Sequence, residues 1–324
     1  MRVSVVIPVF NGMPHIPEAI DSVLRQRHDD LEVLVIDDGS NDGTRKAVSA
    51  YGAPVVLLST DAPRSGPAAA RNVGLRAATG DLIAFLDADD VWLGNKLAEQ
   101  VAYMSGHPEV GLVSTNSRYW RPRPDGTYPS PDEAAAWADA SAVSGDGGLS
   151  GWLYYEILLK PSTVWTSTVL MHRWLLDKVG LFNESLRLGQ DYDYWLRASR
   201  HTPIHRLPGC HALYRQHEDN STGRPRPVNF ELQIFDSAMR RWGRLGPDGR
   251  SVPRNAVRER YHRLNFRMGY HHYWRGDPGV AMRSFAAALR WRPHAPKTWA
   301  YLMASSAKRI KRGGASAGLE TRAE

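Results

Sequence analysis

The feature that most constrains this chain is the regular return of short apolar runs, at residues 3–10, 31–36, 55–58, 82–86 and 110–115, the first four each followed by a segment of helical spacing. Ile16, Ala19, Ile20, Val23 and Leu24 recur at intervals of three and four, which places them on one face of an amphipathic helix. Gly66-Pro67 opens another helix through Arg71, Asn72 and Leu75, and Gly80 stops it. Strands and helices alternating through short connections predict an α/β chain: a Rossmann-like, doubly wound, mostly parallel sheet. In open sheets of this kind, ligands bind outside the carboxyl ends of the strands.

Acids stand at those ends. The run Leu82-Ile83-Ala84-Phe85-Leu86 stops in Asp87-Ala88-Asp89-Asp90. In an extended segment Asp87 and Asp89 point the same way, since side chains alternate with period two. Two hard oxygen ligands on one side suit Mg²⁺ or Mn²⁺, which completes its shell with water and substrate phosphates. The alternative is structural: Asp89 or Asp90 capping a helix through Trp92, Leu93 and Leu97. The second strand ends in Asp37-Asp38-Gly39-Ser40. Asp38 there can accept from a base N–H or a ribose hydroxyl, or form an Asx-turn or cap into the next helix. Arg71 lies in the first turns of its helix, where a phosphate is favoured, or else snorkels over the sheet surface. No Gly-x-Gly-x-x-Gly follows the first strand and no Walker loop occurs, so a dinucleotide or P-loop site is not supported.

From 118 to 150 Pro, Gly, Ala, Ser and Asp dominate, which predicts a flexible loop or lid. A strand is expected over 163–171, a helix over 173–179 and a strand over 204–214. Between them, Asp191 and Asp193 open a helix; they are either ordinary N-terminal helix acids or, for Asp191, a general base. Tyr192, Tyr194 and Trp195 either stack on sugars or fill core. His217, after Tyr214-Arg215-Gln216, either contacts a metal or diphosphate or faces solvent. Helices follow at 230–242, 254–274, 279–291 and 297–309. The spacing of small and aromatic residues over 269–293 resembles one helix-turn-helix repeat unit. The division expected is a sheet domain over 1–220 and a C-terminal helical appendage over 221–324.

Composition closes some doors. The single cysteine, Cys210, excludes an internal disulfide and a cysteine-based zinc site, and fits a reducing compartment. No apolar stretch approaches the ~18 residues of a membrane span. The apolar stretch at 3–10, broken by Pro8 and preceded by Arg2, is a strand rather than a signal-peptide core. The net charge of +7 is spread along the chain without a nucleic-acid-binding module, so no nucleic-acid partner is expected. Lys308-Arg309-Ile310-Lys311-Arg312, with Trp299, Leu302 and Met303, offers a second reading for 297–312, contact with an anionic membrane.

Taken in order, six segments resemble the inverting family 2 glycosyltransferases of the GT-A type. They are Val5-Val6-Ile7-Pro8-Val9-Phe10-Asn11, the stretch from Val35-Ile36-Asp37-Asp38 to Gly43-Thr44, Ala70-Arg71-Asn72-Val73-Gly74, Phe85-Leu86-Asp87-Ala88-Asp89-Asp90, Gly189-Gln190-Asp191-Tyr192-Asp193, and Tyr214-Arg215-Gln216-His217. The resemblance covers about residues 1–220 and implies a GT-A domain using a nucleotide-diphosphate sugar, a UDP-sugar first, with Mn²⁺ or Mg²⁺. It implies that Pro8, Val9, Phe10 and Asp38 hold the nucleoside, and that Arg71, Asp87 and Arg215 meet phosphates, ribose or sugar. It further implies that Asp89 and His217 hold the metal and that Asp191 is the base. The family usually has Glu-Asp where this chain has Gln190-Asp191. The processive Gln-x-x-Arg-Trp motif is missing, so one transfer per encounter is implied. The acceptor expected is a glycan or lipid-linked sugar in cell-surface polysaccharide or glycolipid synthesis, and the place cytoplasmic, peripheral on the inner face of the membrane. The competing hypothesis is a non-catalytic nucleotide-binding scaffold acting through its C-terminal helices.

Overall fold

The computed structural model describes residues 1–134, 149–217 and 226–320, with side chains through 310. Two compact units emerge. One comprises Met1–Glu218 with Gly246–Arg250, the other Asp219–Leu245 with Ser251–Glu324.

The first unit is built on one sheet. β1 (Val3–Val9), β2 (Leu31–Asp37), β3 (Val55–Ser59) and β4 (Leu82–Phe85) are joined by α1 (Ile16–Leu24), α2 (Thr44–Ser49) and α3 (Pro67–Ala77). β5 (Val91–Trp92), α4 (Lys96–Gly106), β6 (Leu112–Trp120), β7 (Ser150–Gly151), β8 (Leu170–His172) and β9 (Ile204–Arg215) complete it. Among the described residues the strand order is β3-β2-β1-β4-β8-β6-β9-β5, with β7 also on β9. β1, β2, β3 and β4 run parallel, β6 runs parallel to β9, and β8 lies antiparallel between β4 and β6. All seven β1 residues are buried, as expected for a strand covered on both faces. Gly74 lets α3 press onto the sheet: a Cβ there would come within 2.5 Å of Val6 Cγ1 and 2.8 Å of Ile36 Cδ1.

Three expectations change. Residues 163–171 are not one strand. Two 3₁₀ turns, Pro161–Thr163 and Thr166–Thr168, precede the short β8. Polar Thr163, Thr166, Ser167 and Thr168 interrupt the apolar run; the Thr163 and Thr168 hydroxyls donate to Lys160 O and Trp165 O within the turns, and Ser167 reaches Asp90. Asp89 and Asp90 cap no helix, since Val91–Trp92 pair antiparallel with β9 and α4 begins only at Lys96. Finally, Arg118, Tyr119 and Trp120 belong to β6 rather than to the expected loop, and residues 135–148 of that segment lie outside the described residues.

The second unit is helical: Phe230–Trp242, Arg254–Arg275, Pro278–Trp291 and Pro296–Glu320. Asp277 caps the third helix by accepting from Val280 N at 2.7 Å. Gly269 admits the Phe285 ring, which a Cβ would meet at 2.8 Å. Phe266, Phe285 and Tyr301 form its aromatic centre, with centroids 5.4–5.7 Å apart. Trp299, Met303 and Ile310 remain 49%, 66% and 76% exposed along one face of the last helix. No helix among the described residues is long and apolar enough to cross a membrane.

Candidate active site

β4 ends at Phe85, so the acids after it sit in a turn closed by Asp90 N on Asp87 O at 3.0 Å. The alternation expected of an extended segment is therefore absent, and Asp87 and Asp89 turn to different partners. Asp87 forms an ion pair with Arg71. Asp89 Oδ2 meets His217 Nε2 at 2.9 Å. Asp90, expected only as a helix cap, is instead the buried hub. Its carboxyl accepts from Ser167 Oγ at 2.5 Å and from Arg215 N at 3.2 Å. Burial, then the neighbouring Asp89 and Asp87, push its pKa well above the usual carboxylate range. Ser167 Oγ also accepts from Asp87 N at 3.1 Å, and Trp92 Nε1 donates to Ser167 O at 2.7 Å. The second 3₁₀ turn, which leads into β8 beside β4, thus clamps the acidic turn.

Arg215 is buried, donates from Nε to Asp89 O at 2.8 Å, and pairs with Glu18. Its guanidinium lies 4.0 Å from the Trp120 ring centroid and 4.7 Å from that of Tyr128. It holds the backbone under Asp89 in place. His15 joins this cluster unforeseen, its ring 5.7 Å from that of His217. Burial first, then the charges of Arg215 and His217, lower its pKa, with Asp89 opposing.

On the β1–β2 side Pro8 and Val9 are buried, while Phe10 is 42% exposed with the Arg64 guanidinium 5.3 Å from its ring centroid. Asp38 neither forms the expected Asx-turn nor caps α2. Ser40 N instead donates to Asp37 at 3.1 Å, and Asp42 takes Thr44 N at 3.0 Å. The Asp38 carboxylate accepts from Thr60 Oγ1 at 2.8 Å, Ser65 N at 2.9 Å and Gly66 N at 2.7 Å. It therefore ties down the loop that enters α3. Four residues along that helix from Pro67, Arg71 is buried rather than snorkelling. Its Nε and Nη1 are buried without a hydrogen-bond partner among the described residues.

Asp191 stands in the first turn of the helix Gln190–Ala198, behind Gly189 at φ +75°. It accepts from Tyr192 N at 2.8 Å, and among the described residues no hydrogen bond or ion pair joins it to the Asp87–Asp90 turn. Gln190 Oε1 is buried and unpartnered. Tyr192, Tyr194 and Trp195 are core, which removes the sugar-stacking reading: Phe182 stacks on Tyr194 at 4.1 Å. Asn72 binds Phe182 through both the Phe182 carbonyl and its N–H, at 3.0 and 2.8 Å, so α3 is tied to the ring that stacks on Tyr194 of the Asp191 helix.

A chain of this sheet order, with paired acids at the end of β4, has the architecture of a GT-A glycosyltransferase. The model of the family described as Glycosyl transferase family 2 matches residues 4–137. A relative from Escherichia coli is 42% identical over 272 residues, covering 82% of this chain and 91% of that protein. It is named UDP-Glc:alpha-D-GlcNAc-diphosphoundecaprenol beta-1,3-glucosyltransferase WfgD. The chain belongs to glycosyltransferase family 2. An uncharacterized glycosyltransferase of Rickettsia bellii is 29% identical over 221 residues, or 68% of this chain. The chain spans only 30% of that protein's length. Among solved structures, Staphylococcus aureus TarS 1-349 with UDP-GlcNAc superposes with a TM-score of 0.64 at 17% identity, covering 96% of this chain and 89% of that one. The mannosyltransferase PcManGT of Pyrobaculum calidifontis with GDP-Man and Mn²⁺ gives 0.57 at 23% identity, covering 95% and 87%. At these identities the likeness speaks for the fold.

Proposed function

We propose that this chain transfers a sugar from a nucleotide-diphosphate sugar, a UDP-sugar first, to a hydroxyl of a lipid-linked or glycan acceptor, with inversion, in cell-surface polysaccharide synthesis. The observation that carries this reading is the division of labour in the acidic turn: Asp89 beside His217, and Asp87 beside a buried arginine with two unpartnered nitrogens.

The residues fit a divalent ion. A carboxylate and an imidazole nitrogen converge, and no cluster of three His, Cys, Asp or Glu able to hold a metal occurs among the described residues. A site with two protein ligands leaves the remaining positions to a diphosphate and water, the pattern of Mg²⁺ or Mn²⁺. Asp89 and His217 would hold it. When bound, the ion would neutralise charge on the departing diphosphate. Arg71 offers its free N–H groups to the same charge. Pro8, Val9 and Phe10 line the nucleoside side, and Asp38 sets the loop that faces it, with room in its role for a base N–H. Arg215 supports Asp89 from below. Asp191 takes the proton of the acceptor hydroxyl. That oxygen bonds to the anomeric carbon as the bond to the diphosphate oxygen breaks on the opposite face.

Thermal-shift titration with UDP and MnCl₂ tests the donor side. A UDP-dependent rise that requires manganese is expected, and no response to any nucleoside diphosphate would overturn the reading. The exposed Trp299, Met303 and Ile310, flanked by Lys297 and Arg309, also support contact with an anionic bilayer. Sedimentation with phosphatidylglycerol vesicles but not phosphatidylcholine vesicles is expected, and equal behaviour with both would refute that part.

A further inference from the structure

Three aromatic side chains outside the machinery above converge beside the acidic turn. Tyr119 on β6, Tyr214 on β9 and Trp165 before the second 3₁₀ turn form a closed triangle, with ring centroids 5.0, 5.5 and 5.8 Å apart. The contacts are all edge-to-face, at 75–83°. The rings thus frame a corner rather than a stack.

The backbone builds this corner with some effort. Tyr119 and Tyr214 are direct partners across parallel β6 and β9. They become so because β9 takes six steps, Arg206 to Ala212, where β6 takes three, Ser114 to Ser117. An excess of three residues is odd, so it reverses which face the later β9 side chains take. Bulges of this kind re-aim side chains near functional sites. Trp165 is placed by the same clamp that places the acids, since Ser167 two residues on is bonded to Asp87 and Asp90. The triangle lies within reach of the acidic charge: burial raises the Tyr214 pKa, with further contributions from Asp90, Asp89 and Asp87.

Core aromatics would be covered, but Tyr119 is 51% exposed, and Trp165 and Tyr214 are half-buried. An exposed aromatic corner beside the acidic turn, with the Arg121 guanidinium 5.9 Å from the Tyr119 ring centroid, presents apolar faces with polar groups close by. That combination matches a pyranose ring, which carries C–H groups on its faces and hydroxyls around its edge.

We propose that Tyr119, Trp165 and Tyr214 form the acceptor-sugar subsite, seating the ring whose hydroxyl is glycosylated. The inference rests on the transferase reading and extends it to the acceptor side. It makes Tyr119 a specificity-determining residue that leaves the nucleotide untouched.

The test is calorimetric and separates the two sides. The probe is N-acetylglucosamine α-diphosphate carrying an undecyl tail, the sugar-diphosphate-lipid chemistry in the name of the Escherichia coli relative. Free glucose and N-acetylglucosamine at millimolar concentration serve as further probes. Tyr119→Ala is expected to weaken binding of the sugar probe about tenfold, the size of one good aromatic contact. Tyr119→Phe should restore it, and UDP affinity with Mn²⁺ should be unchanged in both. Wild-type probe affinity in Tyr119→Ala overturns the subsite, as does a parallel fall in UDP affinity, which would mark a structural role. A wild-type protein that binds UDP but none of the sugar probes also overturns it. One that binds no nucleotide refutes the transferase reading instead.

Discussion

Asp38 gives the sharpest test, because the same carboxylate is asked to build a loop and to face a nucleoside. Its Oδ1 accepts from Thr60 Oγ1 and Ser65 N, and its Oδ2 from Gly66 N, all within 2.7–2.9 Å. In Asp38→Asn one oxygen becomes a donor. If the amide nitrogen faces Gly66, two donors meet. If the amide flips, the Ser65 N–H loses its acceptor instead. One backbone N–H in this largely buried spot is left unsatisfied either way, at a cost of about 1–3 kcal/mol. A middle value of about 2 kcal/mol corresponds to a fall of about 4–8 °C in Tm for a unit of this size. Because Gly66 precedes Pro67, which opens α3, and α3 carries Arg71, UDP affinity should fall together with Tm. Differential scanning fluorimetry and calorimetric titration of UDP with Mn²⁺ measure both. Weaker UDP binding at an unchanged Tm would refute the anchoring argument and leave Asp38 as a base contact alone.

The other predictions concern the chemistry and one buried charge. Asp191→Asn should lower transfer by about 10²–10⁴-fold, the worth of a positioned base, with UDP affinity retained. Near-wild-type turnover would remove Asp191 from that role. EDTA should abolish transfer and Mn²⁺ restore it, while His217→Ala should raise the manganese concentration needed; full activity in chelator would refute the Asp89–His217 assignment. Lys96 is fully buried, donates to Gln100 Oε1 at 2.7 Å and lies 3.9 Å from the Trp92 ring centroid. Burial depresses its pKa well below the ordinary 10.5. A depressed lysine costs the fold stability below its unfolded pKa, and the cost fades as pH rises toward 10.5. Lys96→Met should therefore raise Tm at pH 7, by an amount worth about 1–2 kcal/mol, and the gain should shrink between pH 7 and 10.5. A pH-independent difference would show that the charge is not what the substitution relieves.

What the sequence made legible follows from period and length. β1 and β2 read correctly because strands covered on both faces are unbroken apolar runs with turn residues behind them, and the edge strand β3, half exposed, still keeps an apolar run of four. The four C-terminal helices were legible from long stretches free of strand-like runs between Gly and Pro stops, although the last extends to Glu320, past the expected end at 309. The two-residue β5 had no signal: its formation depends on Leu213 and Ala212, more than a hundred residues away, offering backbone partners. Residues 163–171 misled for the opposite reason, since β-branched Thr and Val favour a strand locally while Asp90 and Trp92 reward a turn.

The site divides along the same line. That acids cluster at the strand ends is a local fact, and local pattern found it. Which acid does what is not local. Asp87 and Asp89 look equivalent two residues apart, yet Arg71 claims one and His217 the other. Asp90 looks like a spare, yet a serine from the 3₁₀ turn and the N–H of Arg215 make it the buried centre that fixes the other two. The aromatic corner goes further still. Tyr119 and Tyr214 face each other only because β9 is three residues longer than β6 between Ser114 and Ser117. Single-sequence periodicity carries no information about such an offset between distant strands. The segments proposed to hold the donor lie next to single strands, and so stand out in the chain. That Tyr119 and Tyr214, from paired strands, meet Trp165, from the turn before β8, in one corner becomes visible only in the fold.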